Sequence, residues 1–272
     1  MIDAVETLLR EAAAMAILPR YRRLAAGDLE EKAPGEWVTA ADRAAEHLLS
    51  TGLAALLPGS GVVGEEAVAA EPALLARLAG PGPVWLVDPL DGTANFVAGR
   101  GPFAVMVALL RGGVPIAAWM LDPLTGICAT AEAGAGAFLD GVRLRVDADC
   151  PPLAALRGAV LTRFLPPDLR AAVARRAPAI GAVLPGVACA GREYPAVVAG
   201  EQHFALFWRT LPWDHAPGVL FAQEAGAAAR RLDGGPYRVT DRRLGLLVAR
   251  NDAVWRQVRA TLLADLPLVA GA

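Results

Sequence analysis

A chain of 272 residues is long enough for one large domain, or two smaller ones, around a substantial core. Its net charge of -2 supplies no basic field to draw it onto nucleic acid or an anionic membrane. The hydrophobic fraction is 55%, but the longest apolar runs, Phe103 to Leu110 and Val114 to Leu121, are split by Arg111-Gly112-Gly113. Each falls well short of the roughly 20 apolar residues a membrane-spanning helix needs.

Residues 3–26 read as a helix, kinked or divided at Pro19 and ended by Ala26-Gly27. With Asp3 and Glu6 ahead of any apolar run, this N-terminus is not read as a signal peptide. Glu30 to Gly35 is polar and turn-rich. A second helix is expected over Asp42 to Leu57, stopped by Pro58-Gly59. Val62-Val63 is a short strand entering Gly64-Glu65-Glu66, and Leu74 to Leu78 suggests a short helix. Val84 to Val87 reads as a buried strand ending at Asp88, with a turn at Pro89. Phe103 to Leu110, Val114 to Leu121 and Gly126 to Ala131 read as successive strands joined by tight turns.

Around Asp147 to Pro152 the pattern changes to alternating strands and helices. Strands are expected at 159–162, 187–189, 204–207 and 244–249. Helices are expected at 168–176, 193–199, 215–225 and 253–263. A boundary near residue 148 divides an N-terminal α+β part, 1–148, from a C-terminal α/β part, 149–272.

The composition also narrows the chemistry. Ser50 and Ser60 are the only serines, and neither lies in Gly-x-Ser-x-Gly. No two of His47, His203 and His215 are spaced as zinc ligands. Cys128, Cys150 and Cys189 are odd in number and widely spaced, which fits a reducing cytoplasm better than a disulfide framework. Carboxylates are plentiful, so any catalysis should rest on oxygen ligands and hard cations.

The segment Asp88-Pro89-Leu90-Asp91-Gly92-Thr93 gathers such ligands. A buried strand delivers Asp88, Asp91 follows three residues on, and the Leu90 carbonyl lies between them. Gly92-Thr93 then opens what reads as a helix, whose free N–H groups suit a phosphate. The chain contains its own control in Asp122-Pro123-Leu124-Thr125-Gly126, where Thr125 replaces the second aspartate and the reading is a plain hairpin turn. Alone, Glu65-Glu66 is more often a solvated pair, and Asp42 and Asp214 are more often helix N-caps, than they are ligands.

Together and in this order, Val38-Thr39-Ala40-Ala41-Asp42, Gly64-Glu65-Glu66, Asp88 to Thr93 and Trp213-Asp214 resemble the inositol monophosphatase family of lithium-sensitive, magnesium-dependent phosphatases. The resemblance implies a layered αβαβα sandwich of the inositol monophosphatase and fructose-1,6-bisphosphatase type. It implies two or more magnesium ions held by Glu65, Asp88, the Leu90 carbonyl, Asp91 and Asp214. Thr93, bonded to Asp42, would activate water together with Glu65, for in-line attack without a phosphoenzyme. Gly92, Thr93, Lys32 and Ala190 would hold phosphate and substrate. Lys32 is the only lysine in the chain, and the alternative for it is an exposed loop residue.

Two positions depart from the family pattern. His215 follows Asp214 where a small aliphatic residue is usual, and reads as an outer-shell group or a first-turn helix residue. Phe207 stands seven residues before Asp214, where inositol-specific members carry a ring-binding glutamate. Glu193 and Arg209 are the candidates for substitute polar contacts. The expected substrate is a small polyol or sugar phosphate. The alternatives are histidinol phosphate, a 3'(2'),5'-bisphosphate nucleotide, or a non-catalytic regulatory role. A homodimer is the expected assembly, with no nucleic acid and no membrane as partner.

Overall fold

The computed structural model describes residues 1–33 and 35–264. Residue 34, within the expected polar turn, and residues 265–272, in the expected C-terminal part, lie outside the described residues. No helix among those described is long and apolar enough to cross a membrane.

The chain opens with α1 (Ile2–Ala12), extended by a π-helical turn (Ala13–Ile17) and a 3-10 turn (Leu18–Arg20). Pro19 lies in that last turn, so the helical path ends six residues before Ala26. β1 (Leu29–Ala33) and β2 (Glu36–Thr39) form an antiparallel hairpin where a polar turn was expected. The β1 residues are mostly exposed, which is why no apolar alternation announced the strand. α2 (Ala40–Leu56), β3 (Gly61–Gly64), α3 (Glu65–Ala70) and β4 (Pro83–Asp91) follow, with a 3-10 helix at Pro72–Ala79. The short helix α4 (Thr93–Val97) leads to β5 (Ala104–Arg111), β6 (Val114–Leu121), β7 (Cys128–Glu132), β8 (Gly136–Leu139) and β9 (Val142–Leu144).

The second half comprises β10 (Arg157–Val160), α5 (Pro167–Arg176), β11 (Ala182–Leu184), α6 (Ala190–Val198), β12 (Phe204–Phe207), α7 (Pro212–Glu224), β13 (Ala228–Arg231), β14 (Leu246–Ala249) and α8 (Asp252–Leu262). The strand expected at 187–189 is instead a loop feeding α6, with Gly186 and Ala188 both at positive φ. The strand itself lies earlier, at β11. β13 went unread because Ala228-Ala229-Arg230-Arg231 carries no period-two apolar pattern.

β3 to β9 form a seven-stranded sheet in chain order, parallel only between β3 and β4. The other large sheet runs β11-β10-β12-β14-β13. Period-two alternation sorts their side chains into layers. Trp85, Val87, Val105, Val107 and Trp119 face α1 and α2 in one core. Leu86, Met106, Ala108 and Met120 face the other way and meet Tyr194 and Val197 of α6, Phe221 of α7, and Ala205, Phe207 and Val248 of the second sheet. Phe204, Leu206 and Leu247 cover the far face of that sheet with Leu169 and Val173 of α5 and Trp255 of α8. The result is the αβαβα sandwich, with α6 and α7 between the sheets.

Candidate active site

β4 carries the central segment. Its ladder with β5 is regular from Pro83↔Arg111 to Asp88↔Met106, then resumes only at Asp91↔Ala104. The interruption is a bulge at Pro89, which has no N–H to give to a ladder, so the expected turn is a break within one strand. The bulge brings both Asp88 and Asp91 to the same pocket. Asp88 Oδ1 accepts the Leu90 N–H at 3.0 Å, closing a local loop. Asp91 Oδ2 accepts the Gly191 N–H at 2.7 Å from the first turn of α6.

Gly92 links β4 to α4 with φ of 84°. A Cβ there would also lie 3.1 Å from the Pro102 carbonyl and 3.3 Å from Cys189 Cβ. Conformation and space therefore both require glycine. The Gly92 and Thr93 N–H groups lead α4 and are not consumed by its own helical bonds.

Thr93 Oγ1 is 2.8 Å from the Leu90 carbonyl and 3.1 Å from Asp42 Oδ1. One hydroxyl proton serves only one of these acceptors at a time. Asp42 is buried in the first turn of α2, where its other oxygen accepts the Thr39 N–H at 2.8 Å and the Thr39 hydroxyl at 2.5 Å. Burial lifts the Asp42 carboxyl to about 7 despite the opposing pull of the two Thr39 bonds.

Glu65 opens α3 directly after β3. The Glu46 carboxylate, one turn beyond Asp42 on α2, accepts the N–H groups of Glu66 at 2.7 Å and Ala67 at 2.8 Å. It thereby caps α3 and aims Glu65 at the pocket. Lys32 Nζ lies 2.9 Å from Glu65 and 2.9 Å from Glu66. Burial alone would lower its pKa, but the two carboxylates outweigh that and hold it above the usual lysine value. Lys32 is thus a half-buried, ion-paired residue on β1, not an exposed loop residue.

Asp214, in the first turn of α7, completes the group. Glu65, Asp88, Asp91, Asp214, Gly92, Thr93, Lys32, Leu90 and Ala190 all line one pocket. Asp42 lies behind Thr93. Burial first, then the charges of Glu65 and Asp91, push Asp88 and Asp214 well above the ordinary carboxylate range. Asp91 is lifted to about 6 by burial, against the bond from Gly191.

Among the described residues no three His, Cys, Asp or Glu side chains are already drawn tightly enough around one point to cage an ion. The carboxylates line an open pocket instead. Their chemistry fits a hard divalent cation: every donor is oxygen, and their mutual repulsion is relieved by added positive charge.

The remaining expectations divide. Asp122 closes a hairpin turn, its Oδ1 accepting Leu124 N–H at 2.8 Å, as the control reading required. Glu193 points away from the pocket, buried against Val187 N–H at 2.7 Å and the Gln202 amide. Arg209 does line the pocket. Phe207 is buried, stacked on Tyr194 at 5.3 Å and edge-on to His215 at 4.8 Å. His47 is exposed, and His203 Nδ1 accepts the Arg157 N–H at 3.0 Å.

His215 is a fully enclosed link. Its Nε2 lies 3.1 Å from the Arg209 carbonyl, which only accepts, so Nε2 carries the proton. Nδ1 then accepts from the Tyr194 hydroxyl at 2.8 Å. Burial lowers the His215 pKa to about 3, which keeps the ring neutral. Sequence reasoning missed Glu46 and Tyr194. Glu46 carried a signal: it falls four residues after Asp42, on the same inward helix face.

A model of the inositol monophosphatase family matches residues 1–266. The chain is 33% identical over 244 residues to the inositol-1-monophosphatase of Rhizobium meliloti (strain 1021), covering 87% of this chain and 86% of that protein. It is 32% identical over 246 residues to the 3'(2'),5'-bisphosphate nucleotidase CysQ of Escherichia coli (strain K12), covering 89% and 95%. Its fold matches the crystal structure of extragenic suppressor protein suhB from Bartonella henselae with a TM-score of 0.83 at 23% identity, over 97% of this chain and 99% of that one. The chain belongs to the inositol monophosphatase family.

Proposed function

We propose that this protein is a magnesium-dependent phosphomonoesterase that hydrolyses a small polyol or sugar phosphate. The family is one of magnesium-dependent phosphatases. The observation that carries the reading is the meeting of four carboxylates, from β4, α3 and α7, beside the Thr93–Asp42 pair.

Glu65, Asp88, the Leu90 carbonyl, Asp91 and Asp214 would hold the ions. Bound magnesium would lower the pKa of water and offset charge on the phosphate. The chain's own groups do the rest. Thr93 donates its hydroxyl to Asp42, so its oxygen lone pair can accept the attacking water's proton as its own proton moves on to Asp42. Glu65 orients that water from the other side. The Gly92 and Thr93 N–H groups, with Lys32, hold phosphate oxygens in line with the attack, and Ala190 closes the wall beside Asp91. No side chain serves as nucleophile: Cys189 is buried, its thiol faces the Asp91 carbonyl, and burial pushes its pKa far above the usual range.

In this reading residues 1–148 supply the phosphate chemistry, and the part from 149 onward supplies Asp214 and most of the leaving-group wall. The three free cysteines fit a reducing cytoplasm. A second reading, a bisphosphate nucleotidase, draws support from Phe207, which offers a ring no hydroxyl acceptor. The test is phosphate release from inositol phosphate, histidinol phosphate, a 3',5'-bisphosphate nucleotide and fructose bisphosphate, with and without magnesium and lithium. Magnesium-dependent, lithium-inhibited release is expected. No release from any of them overturns the proposal.

A further inference from the structure

Part of the pocket wall is built by three separate segments: Gly35 to Trp37 at the start of β2, the turn after β10, and the residues after β12. Phe164 presents an exposed ring there, 37% accessible, between two guanidinium groups. Arg163 lies 4.7 Å and Arg209 4.1 Å from its centroid. Arg163 Nη2 donates to the Gly35 carbonyl at 2.6 Å, and Arg209 Nη1 pairs with Glu36. Both contacts tie the hairpin to the second half of the chain.

Arg209 pairs with Glu36 and its charge also reaches Asp214, while Glu31 accepts the Gly35 N–H at 2.6 Å at the same hairpin end. Arg163 has no carboxylate partner among the described residues, and Arg209 Nε and Nη2 donate to none of them. Two planar, preorganised forks with free N–H groups suit a phosphate or carboxylate. Arg209 is also held in place, because His215 donates to its carbonyl from the same turn that bears Asp214.

We propose that Arg163 and Arg209, framing Phe164, form a leaving-group subsite for a second anionic group, so that the preferred substrate is a phosphomonoester carrying a further phosphate or carboxylate. This rests on the phosphomonoesterase reading. Glu36 acts as a placeholder that holds Arg209 until the anion arrives.

The test compares kcat/KM within matched pairs, using the full chain with magnesium. The pairs are fructose 1-phosphate with fructose 1,6-bisphosphate, adenosine 3'-phosphate with its 3',5'-bisphosphate, and glycerol 2-phosphate with 2-phosphoglycerate. The first two pairs report a second phosphate and the third a carboxylate. The anionic member should be preferred by about tenfold or more, the equivalent of one charge-assisted bond. Arg209→Gln and Arg163→Gln should each shrink that ratio, and Glu36→Gln should raise it by freeing Arg209. A general loss of activity moves both members of a pair and cancels. A wild-type ratio at or below one overturns the subsite, as does a ratio unmoved by all three variants. Histidinol phosphate, assayed alongside, supplies an amine instead; its preference over every compound with a second anion also overturns the subsite and makes Glu36 the recogniser. Release without discrimination sinks the subsite alone, whereas no release from any compound sinks the phosphatase reading with it.

Discussion

Gly64→Ala tests how the fold presents Glu65. The backbone of Gly64 is extended, with φ of -101°, so conformation does not demand glycine there. Space does: a Cβ would lie 2.3 Å from Glu46 Cδ and 2.5 and 2.6 Å from its two carboxylate oxygens. The carboxylate must withdraw, and with it go the bonds from Glu66 N–H at 2.7 Å and Ala67 N–H at 2.8 Å. Each such bond to a charged acceptor is worth about 1.5–3 kcal/mol. The Glu46 side chain is flexible and recovers part of this by relaxing, which leaves a net cost of about 3 kcal/mol. For a chain of this length that lowers Tm by about 6–12 °C. The first turn of α3 loosens as well, so phosphate release should need more magnesium for half-maximal rate. Thermal melting and a magnesium titration measure both effects. The decisive arm is Glu46→Ala: with the carboxylate gone, adding Gly64→Ala should cost less than about 0.5 kcal/mol more. Full additivity of the two substitutions would refute the reasoning, because it would mean that Gly64 and Glu46 act independently.

Asp42→Asn keeps the shape of the Thr93 partner but removes its charge, and kcat should fall by about 10²- to 10⁴-fold with KM little changed; steady-state kinetics showing an unchanged kcat would remove Asp42 from the mechanism. His215 is held by burial at about 3, against about 6.5 in an unfolded chain. Between those values the unfolded chain binds more protons, so the contribution of neutral His215 is complete above about pH 6.5 and is lost as pH falls toward 3. His215→Phe should therefore lessen the fall in stability between pH 7 and 5, where one site contributes a slope of up to about 1.4 kcal/mol per pH unit; equal slopes in denaturant titrations would contradict this. Arg231 is buried, with Nη1 donating to Thr210 Oγ1 at 2.8 Å and the Arg243 carbonyl at 2.7 Å, Nη2 donating to the Asp241 carbonyl at 3.1 Å, and Nε 3.4 Å from Asp241 Oδ2. Arg231→Met strands these acceptors and should cost about 3 kcal/mol in chemical denaturation; a loss below about 1 kcal/mol would show that water satisfies them.

The chemistry of the site was legible where its signal is local. Asp88, Asp91 and Thr93 lie within six residues, and their difference from the turn at Asp122 depends only on the residue types at each position. Period-two and helical apolar patterns likewise announced β4 to β7 and α2, because each of these elements has a face turned to the core. β1 and β13 lacked that signature: one is mostly exposed, and the other is too short and too basic to alternate.

Sequence by itself determined the kinds of ligand available and their order along the chain: oxygen donors, a glycine before Thr93, and no side-chain nucleophile in a recognised motif. Tertiary structure decided which of them meet and which way they face. Glu193 and Arg209 were equal candidates by type, yet Glu193 turns into the interior toward Val187 and Gln202 while Arg209 lies against Phe164 in the pocket. His215 became the buried link between Tyr194 and Arg209 only because α6 and α7 pack side by side between the sheets. The physical reason is one of range. Local sequence sets backbone conformation and the inward face of an element, but the partner that a side chain meets across that face comes from a segment distant in the chain, fixed by close packing of the layers.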